Sequence, residues 1–256
     1  VVRSRGLGDV YKRQDITNAL DEFKRLYKAG IASAAEIMTL HRAYPDNEVY
    51  QKEARKLEKR EVEPVVLGGP ASVELVDREG HLITTSALGK AFDNYMKSFR
   101  TRNAMVLHSD VQVGWALPAY INKSGQIFKS GVNENGLFFI TEMRNDTKIS
   151  DRVKEQINEG KLKSYSIAGS ATKMQNMTKG LQSYMQVDDL ELAEVTVCEK
   201  GVNQGASFDL LKSEQPAQKS CADGSCLTKS APEPREEINM VLKSNGNVDF
   251  TLSLIH

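Results

Sequence analysis

Apolar positions divide the chain into a helical start, a strand-rich middle and a polar end. Behind Asp15, which can cap a helix, Leu20, Phe23, Leu26 and Tyr27 recur at helical spacing. Gly30 interrupts that pattern, and a second segment from Ser33 carries Ile37, Met38 and Leu40. The third stretch, Glu48 to Arg60, is almost wholly charged, so a solvated helix or partner-binding arm is expected there. These segments make a charged helical arm over 15–63. Pro64 to Pro70, with Gly68 and Gly69 inside it, reads as a linker, placed at 64–71.

The folded core is expected over 72–211. Val73 to Asp77 reads as a strand, Arg78 to His81 as a turn and Leu82-Ile83 as the return. Ser86 can cap a helix whose Leu88, Phe92, Tyr95, Met96 and Phe99 form one apolar stripe, best read as core packing. Strand patterns follow at Ala104–His108, Val111–Leu117, Gln126–Lys129 and Leu137–Met143. A short helix from Asp151 to Glu159 is capped by Ser150 and stopped by Gly160, before strands at Ser164–Ala168 and Leu190–Cys198. Many short strands with few helices predict an α+β fold, a small, mostly antiparallel β-barrel with a few flanking helices. Beyond Leu211 the mixture of Lys, Ser, Gln, Pro, Ala and Glu reads as a disordered tail or linker over 212–251, with room for a following scaffold region.

Composition narrows the classes. The 34 basic residues balance the 34 acidic ones, so no overall field steers the chain to nucleic acid or to an anionic membrane. No apolar run approaches the roughly 20 residues that span a bilayer, and no apolar h-region follows the start, so a cytoplasmic setting is expected. The 3 cysteines argue against a disulfide framework. Cys198 sits in an apolar strand pattern as a small buried hydrophobe. Cys221 and Cys226 frame a polar stretch, but a zinc site needs two more ligands, and His41, His81, His108 and His256 lack the spacing; no metal is expected. Residues 1–14 resemble translated sequencing-adapter sequence and 252–256 its opposite-end counterpart, which implies that neither belongs to the protein and that the natural chain runs further both ways.

Three stretches carry candidate chemistry. They supply His108, Ser166 and Glu194, each in an apparent strand or at its edge. A Ser/His/acid hydrolase needs a hydroxyl to attack, an imidazole to take its proton and a carboxylate to orient the imidazole. A lone histidine at a strand end is usually structural, yet His108 is the only histidine in the strand body of the expected barrel. Ser166 precedes Ile167, Ala168 and the flexible Gly169, and small residues beside a nucleophile let a carbonyl approach; Ser109, Ser164 and Ser170 are rivals. Along Leu190–Cys198 the apolar parity shifts, so Glu194, Thr196 and Cys198 face away from Ala193, Val195 and Val197. Asp188, Asp189 and Glu191 remain alternative acids on spacing alone.

The flanking residues add a family resemblance. The segment VKEQINEGKLKSYSIAG (153–169) resembles the helix and Gly-x-Leu/Ile-Lys lead into a nucleophilic Ser-Ile in the prohead proteases of tailed phages. LELAEVTV (190–197) followed by Gly201-Val202-Asn203, MVLHSD (105–110) followed by Val113-Gly114, and VELVDREG (73–80) followed by the 88–99 helix are similar to further elements of that family, most of all its XkdF-like branch. The resemblance covers about Ser72 to Leu211. It departs where Lys200-Gly201-Val202-Asn203 replaces Pro-Ala-Asn, and where His81 stands in place of a common aspartate. It implies His108 as general base, Ser166 as nucleophile, Glu194 as orienting acid, no cofactor, and a barrel related to herpesvirus capsid-maturation proteases. It also implies a serine endopeptidase acting on the phage major capsid protein precursor, on scaffold protein and on itself. Its setting would be the prohead in the host cytoplasm, as a homo-oligomer. The rival is a non-catalytic prohead scaffold or capsid-assembly protein that keeps the barrel; a hydrolase of another kind with the same triad is a further alternative.

Overall fold

The computed structural model describes residues 16–60, 63–97, 103–211, 237–242 and 248–253. The adapter-like start, Cys221, Cys226, Phe99 and most of the polar tail lie outside the described residues. The chain divides into two compact units, 1–214 and 215–256. The second contributes an antiparallel hairpin of Glu237–Leu242 and Val248–Ser253. Among the described residues no helix is long and apolar enough to cross a membrane.

The first unit opens with helices α1 (Thr17–Lys28), α2 (Ala34–Ala43) and α3 (Glu48–Lys59). Ser33 and Glu36 form a reciprocal capping box at the start of α2. Leu20, Phe23 and Leu26 of α1 and Leu40 of α2 pack on Ala119 and Ile121 of strand β5 (Ala119–Ile121), which pairs with β6 (Ile127–Lys129). The expected arm is thus tied down over its first two helices, because their apolar faces have a sheet pair to cover. Only Ala54 of α3 is buried.

The main sheet holds β1 (Val66–Ser72), β2 (His81–Ile83), β3 (Asn103–Val106), β4 (Gln112–Ala116), β7 (Gly131–Asn133), β8 (Gly136–Met143), β9 (Ser164–Lys179), β10 (Gln182–Cys198) and β11 (Asp209–Leu210). Its order is β11-β1-β8-β4-β3-β10-β2, with β7 on β8 and β9 on β10. Most pairs are antiparallel; β10 pairs in parallel with β2 and β3. Helices α4 (Thr85–Lys97) and α5 (Lys148–Asn158) flank it. The fold is α+β, as expected, but the sheet does not close into a barrel. Its ends come together through side-chain packing and isolated bonds such as Phe208 N–H to Lys163 O, 3.2 Å, but among the described residues no ladder pairs β9 with β1 or β11, as closure needs.

The sheet is nevertheless strongly curled. β8 and β9 stand four strand positions apart, about 19 Å on a flat sheet. Yet the Phe139 and Tyr165 rings meet at 5.6 Å and the Tyr165 hydroxyl donates to Thr141 Oγ1 at 3.0 Å. Phe208 packs on Tyr165 with tilted rings at 4.9 Å, while Phe92 and Tyr95 of α4 close the other side against Phe139. The apolar stripe of α4 is core packing, and Thr84, two residues before the expected Ser86, supplies its cap by accepting from Ala87 N–H.

Two other expectations fail for identifiable reasons. The segment read as a linker is β1, an interior strand of the sheet between β8 and β11. A Cβ at Gly68 would lie 2.7 Å from Leu211 Cδ1, and one at Gly69 2.2 Å from Ser207 O, so these glycines serve close packing rather than flexibility. Val73–Asp77 is not a strand; Asp77 Oδ1 accepts from Glu79 and His81 N–H in a tight turn, and β2 pairs with β10 instead. Helix α5 starts earlier than expected, with Thr147 accepting from Ser150 N–H, and Ser150 itself is buried.

Glu142 of β8 fastens the helical start to the sheet. Its carboxylate accepts from Ala35 N–H at 3.0 Å and from Trp115 Nε1–H at 3.1 Å. Burial pushes this carboxyl up to about 7, against the opposing pull of its hydrogen bonds.

Candidate active site

Ser166 lies near the start of β9, directly across from Thr196 of β10, and Glu194 lies across from Ala168. Residues two apart on a strand share a face, so Ser166, Thr196 and Glu194 project from the same side of the β9–β10 ribbon. A register shift between Leu192 and Glu194 bulges the strand at Ala193. That bulge is the origin of the parity change in the sequence, and it lets Leu192 and Val195 both point into the core while Glu194 stays half-buried. Gly169 stands opposite the bulge, where a Cβ would lie 2.0 Å from Glu191 O. Its small size therefore serves backbone contact across the ribbon.

His108 is not in a strand. β3 ends at Val106, and Leu107 and His108 both take the left-handed conformation with φ of 51°. Ser109 N–H closes the turn onto Val106 O at 3.0 Å, as in a mirror-image hairpin turn. Two consecutive non-glycine residues there cost on the order of 1–2 kcal/mol each. The conformation is held by Leu107 N–H to Val197 O at 3.0 Å and His108 N–H to Thr196 Oγ1, also 3.0 Å. The result swings the imidazole over β10, where His108 Nδ1 meets Glu194 Oε1 at 2.7 Å. An ionised carboxylate there favours the tautomer with the proton on Nδ1, leaving Nε2 as an acceptor.

The other candidates have different surroundings. Ser164 Oγ donates to Ala206 O at 2.8 Å and accepts from Gly201 N–H at 3.0 Å. Ser109 Oγ donates to Val106 O at 2.6 Å, and Ser170 is exposed on β9. Asp188 accepts from Gln175 and Gln186, Asp189 accepts from Thr172, and Glu191 is exposed. Burial raises the Cys198 thiol, which donates to Ser164 O and stays neutral.

Ser166, only 3 % exposed, and His108 line one cleft of about 420 Å³. Its walls are mixed, with Leu75, Ile83, Val187 and Leu190 beside the charged and polar Asp77, Glu79, His81 and Asn203. The loop after β10 forms one side. There Asn203 Nδ2 donates to Val73 O at 2.7 Å and the Arg78 guanidinium donates to Gly201 O. Sequence reasoning missed Thr196 and Asn203 as site-forming residues. The parity of β10 put Thr196 beside Glu194, but nothing local told that its hydroxyl would hold the His108 backbone.

The family profile of caudovirus prohead serine proteases matches residues 86–220. The chain belongs to that family. His108, Ser166 and Glu194 all fall inside the matched span of this prohead protease family, whereas β1 lies before it. A crystal structure of KSHV protease in complex with a hexapeptide phosphonate inhibitor is similar over 57 % of this chain and 64 % of that one, at 13 % identity and a TM-score of 0.35. The chain thus spans less than two thirds of that protein's length. No curated protein matches the chain.

Proposed function

We propose that this chain is a serine endopeptidase of phage capsid assembly, working through an acyl-enzyme on Ser166. His108 Nε2 takes the Ser166 proton as Oγ attacks a peptide carbonyl, and the imidazolium then donates that proton to the departing amine. Water, deprotonated by the same imidazole, adds to the ester carbonyl and releases Ser166. Glu194 holds Nδ1–H and stabilises the imidazolium in both halves. Each of these steps uses side chains alone. The substrates are the major capsid protein precursor and scaffold protein, met inside the prohead in the host cytoplasm, and the chain's own flanks are cleavage sites as well. The observation that carries the reading is the 2.7 Å contact of His108 Nδ1 with Glu194 Oε1 at the mouth of the cleft that Ser166 also lines. Family membership supports it.

The test is incubation of purified wild type and Ser166→Ala with the cognate capsid precursor. Cleavage by wild type and its loss by at least about 10³-fold in the variant is expected. Cleavage by both removes Ser166 as nucleophile. An intact precursor in both favours the scaffold reading.

A further inference from the structure

Two residues apart on one face of β10, Glu194 and Thr196 hold the two ends of His108. Glu194 Oε1 takes the ring at Nδ1, 2.7 Å away, and Thr196 Oγ1 accepts from the His108 backbone N–H at 3.0 Å. The two anchors stand about 7 Å apart along the strand, so backbone and ring are pinned together with the side-chain torsions between them. The backbone needs its anchor. Leu107 and His108 both sit at φ of 51°, and the neighbouring bonds stop short of the His108 amide: Val197 O holds the N–H of Leu107, and Val106 O that of Ser109. Thr196 also stands directly across the ladder from Ser166. Cross-strand partners keep their Cβ atoms about 4.5–5.5 Å apart, so Thr196 ties the base to the frame of the nucleophile. Its side chain is β-branched, which restricts the rotamer of the hydroxyl, and it is wholly buried, so it cannot touch a peptide in the cleft.

We infer that Thr196 is a positioning residue of the reaction, its hydroxyl setting the reach of His108 Nε2 toward Ser166 Oγ through the His108 backbone. This rests on the endopeptidase reading. Without the acceptor the His108 amide is free to leave the left-handed turn, and the ring moves with it. A misplacement of about 1 Å in a reacting group can cost about 10²-fold in rate, whereas peptide binding, which Thr196 does not touch, is unaffected.

The experiment uses the full chain as wild type, Thr196→Val, which keeps the shape and removes the acceptor, and Thr196→Ser, which keeps the acceptor. A proteome-derived peptide library is digested with wild type, and the best-cleaved peptide serves for kcat and KM below the melting temperature of each variant. In parallel, diisopropyl fluorophosphate, which has no peptide portion, reports how reactive Ser166 is. Thr196→Val is expected to lower kcat about 10- to 100-fold with KM within about threefold of wild type, and to slow labelling by a similar factor. Thr196→Ser should regain at least half of that loss on a logarithmic scale. A kcat loss below about tenfold in Thr196→Val, a loss carried by KM, or labelling at the wild-type rate overturns the inference. So does a smaller recovery in Thr196→Ser, because the methyl group and its packing would then matter rather than the hydroxyl. If Thr196→Val does not fold, Thr196→Ala takes its place under the same criteria, and failure of both to fold makes Thr196 a structural residue and overturns the inference. Wild type that neither cleaves nor labels defeats the endopeptidase reading, and this inference with it, without reference to Thr196.

Discussion

Replacing Glu194 by Gln removes a charge from beside His108 while keeping the shape of the side chain. The His108–Glu194 contact of 2.7 Å places the charge centres about 4 Å apart, which at an effective dielectric of about 20 is worth roughly 4 kcal/mol to an imidazolium. The His108 side chain is 41 % exposed and that of Glu194 20 %, so solvent screens part of this. A net loss of about 3–4 kcal/mol in the transition state corresponds to a fall in kcat of about 10² to 10³. Gln also offers an NH₂ that can turn toward Nδ1 and favour the wrong tautomer, which adds to the loss. The assay is kcat and KM on a capsid-precursor peptide from pH 5 to 9, with Asp189→Asn as a control because Asp189 binds Thr172 along the hairpin. The control should stay within about twofold. KM should change little for Glu194→Gln, since the carboxylate acts on charge that develops only during reaction. A kcat within threefold of wild type across the pH range would refute the assignment of Glu194 as the orienting acid.

Further outcomes follow from backbone and burial. Leu107→Asn places a residue that tolerates the left-handed region at an exposed position with φ of 51°, and chemical denaturation should show a gain of about 0.5–1 kcal/mol; a loss would mean that Leu107 packs rather than strains. Gly169→Ala drives a methyl to within 2.0 Å of Glu191 O, so a loss of about 2–4 kcal/mol is expected by the same measurement, and a neutral result would contradict the close ribbon contact. Glu142 has its carboxyl raised from 4.5 to about 7 by burial, so the folded state binds the extra proton between these values. Its contribution is full below about pH 4.5 and is lost as pH rises through 7, by an amount on the order of 3 kcal/mol. Urea midpoints across that window should fall more steeply for wild type than for Glu142→Gln, and parallel curves would refute it.

The sequence was most legible where a segment's pattern and its partners agree. Leu88, Phe92 and Tyr95 form a stripe that any curled sheet would cover, and α4 packs as the periodicity requires. The parity change in β10 was also visible, and with it the separation of Glu194 from the Val195 and Val197 row. Strand β1 was hidden because Gly68-Gly69-Pro70 has the local chemistry of a linker, and only the approach of Leu211 and Ser207, over a hundred residues away, makes a strand of it. The left-handed turn at His108 was hidden for a similar reason. Leu107 lacks any intrinsic preference for that conformation and His108 has only a modest one, and the Thr196 hydroxyl and Val197 carbonyl that hold it come from another strand. The expected strand stops at Ala168 because beyond it β9 is mostly exposed and its few apolar residues, Ala171, Met174 and Met177, do not keep to one parity, so period-2 alternation has nothing to report. The closed barrel was an over-extension: the alternation in each strand fixes which face is buried but not whether the sheet's two ends pair.

The most direct measurement of the central claim is intact-protein and peptide mass spectrometry after reaction with a serine-directed phosphonate, for wild type, Ser166→Ala, His108→Ala and Ser164→Ala. One adduct on Ser166 is expected in wild type and in Ser164→Ala, none in Ser166→Ala, and labelling slowed by at least about 10²-fold in His108→Ala. An adduct on any other serine, or labelling of Ser166 at an undiminished rate without His108, would contradict the account.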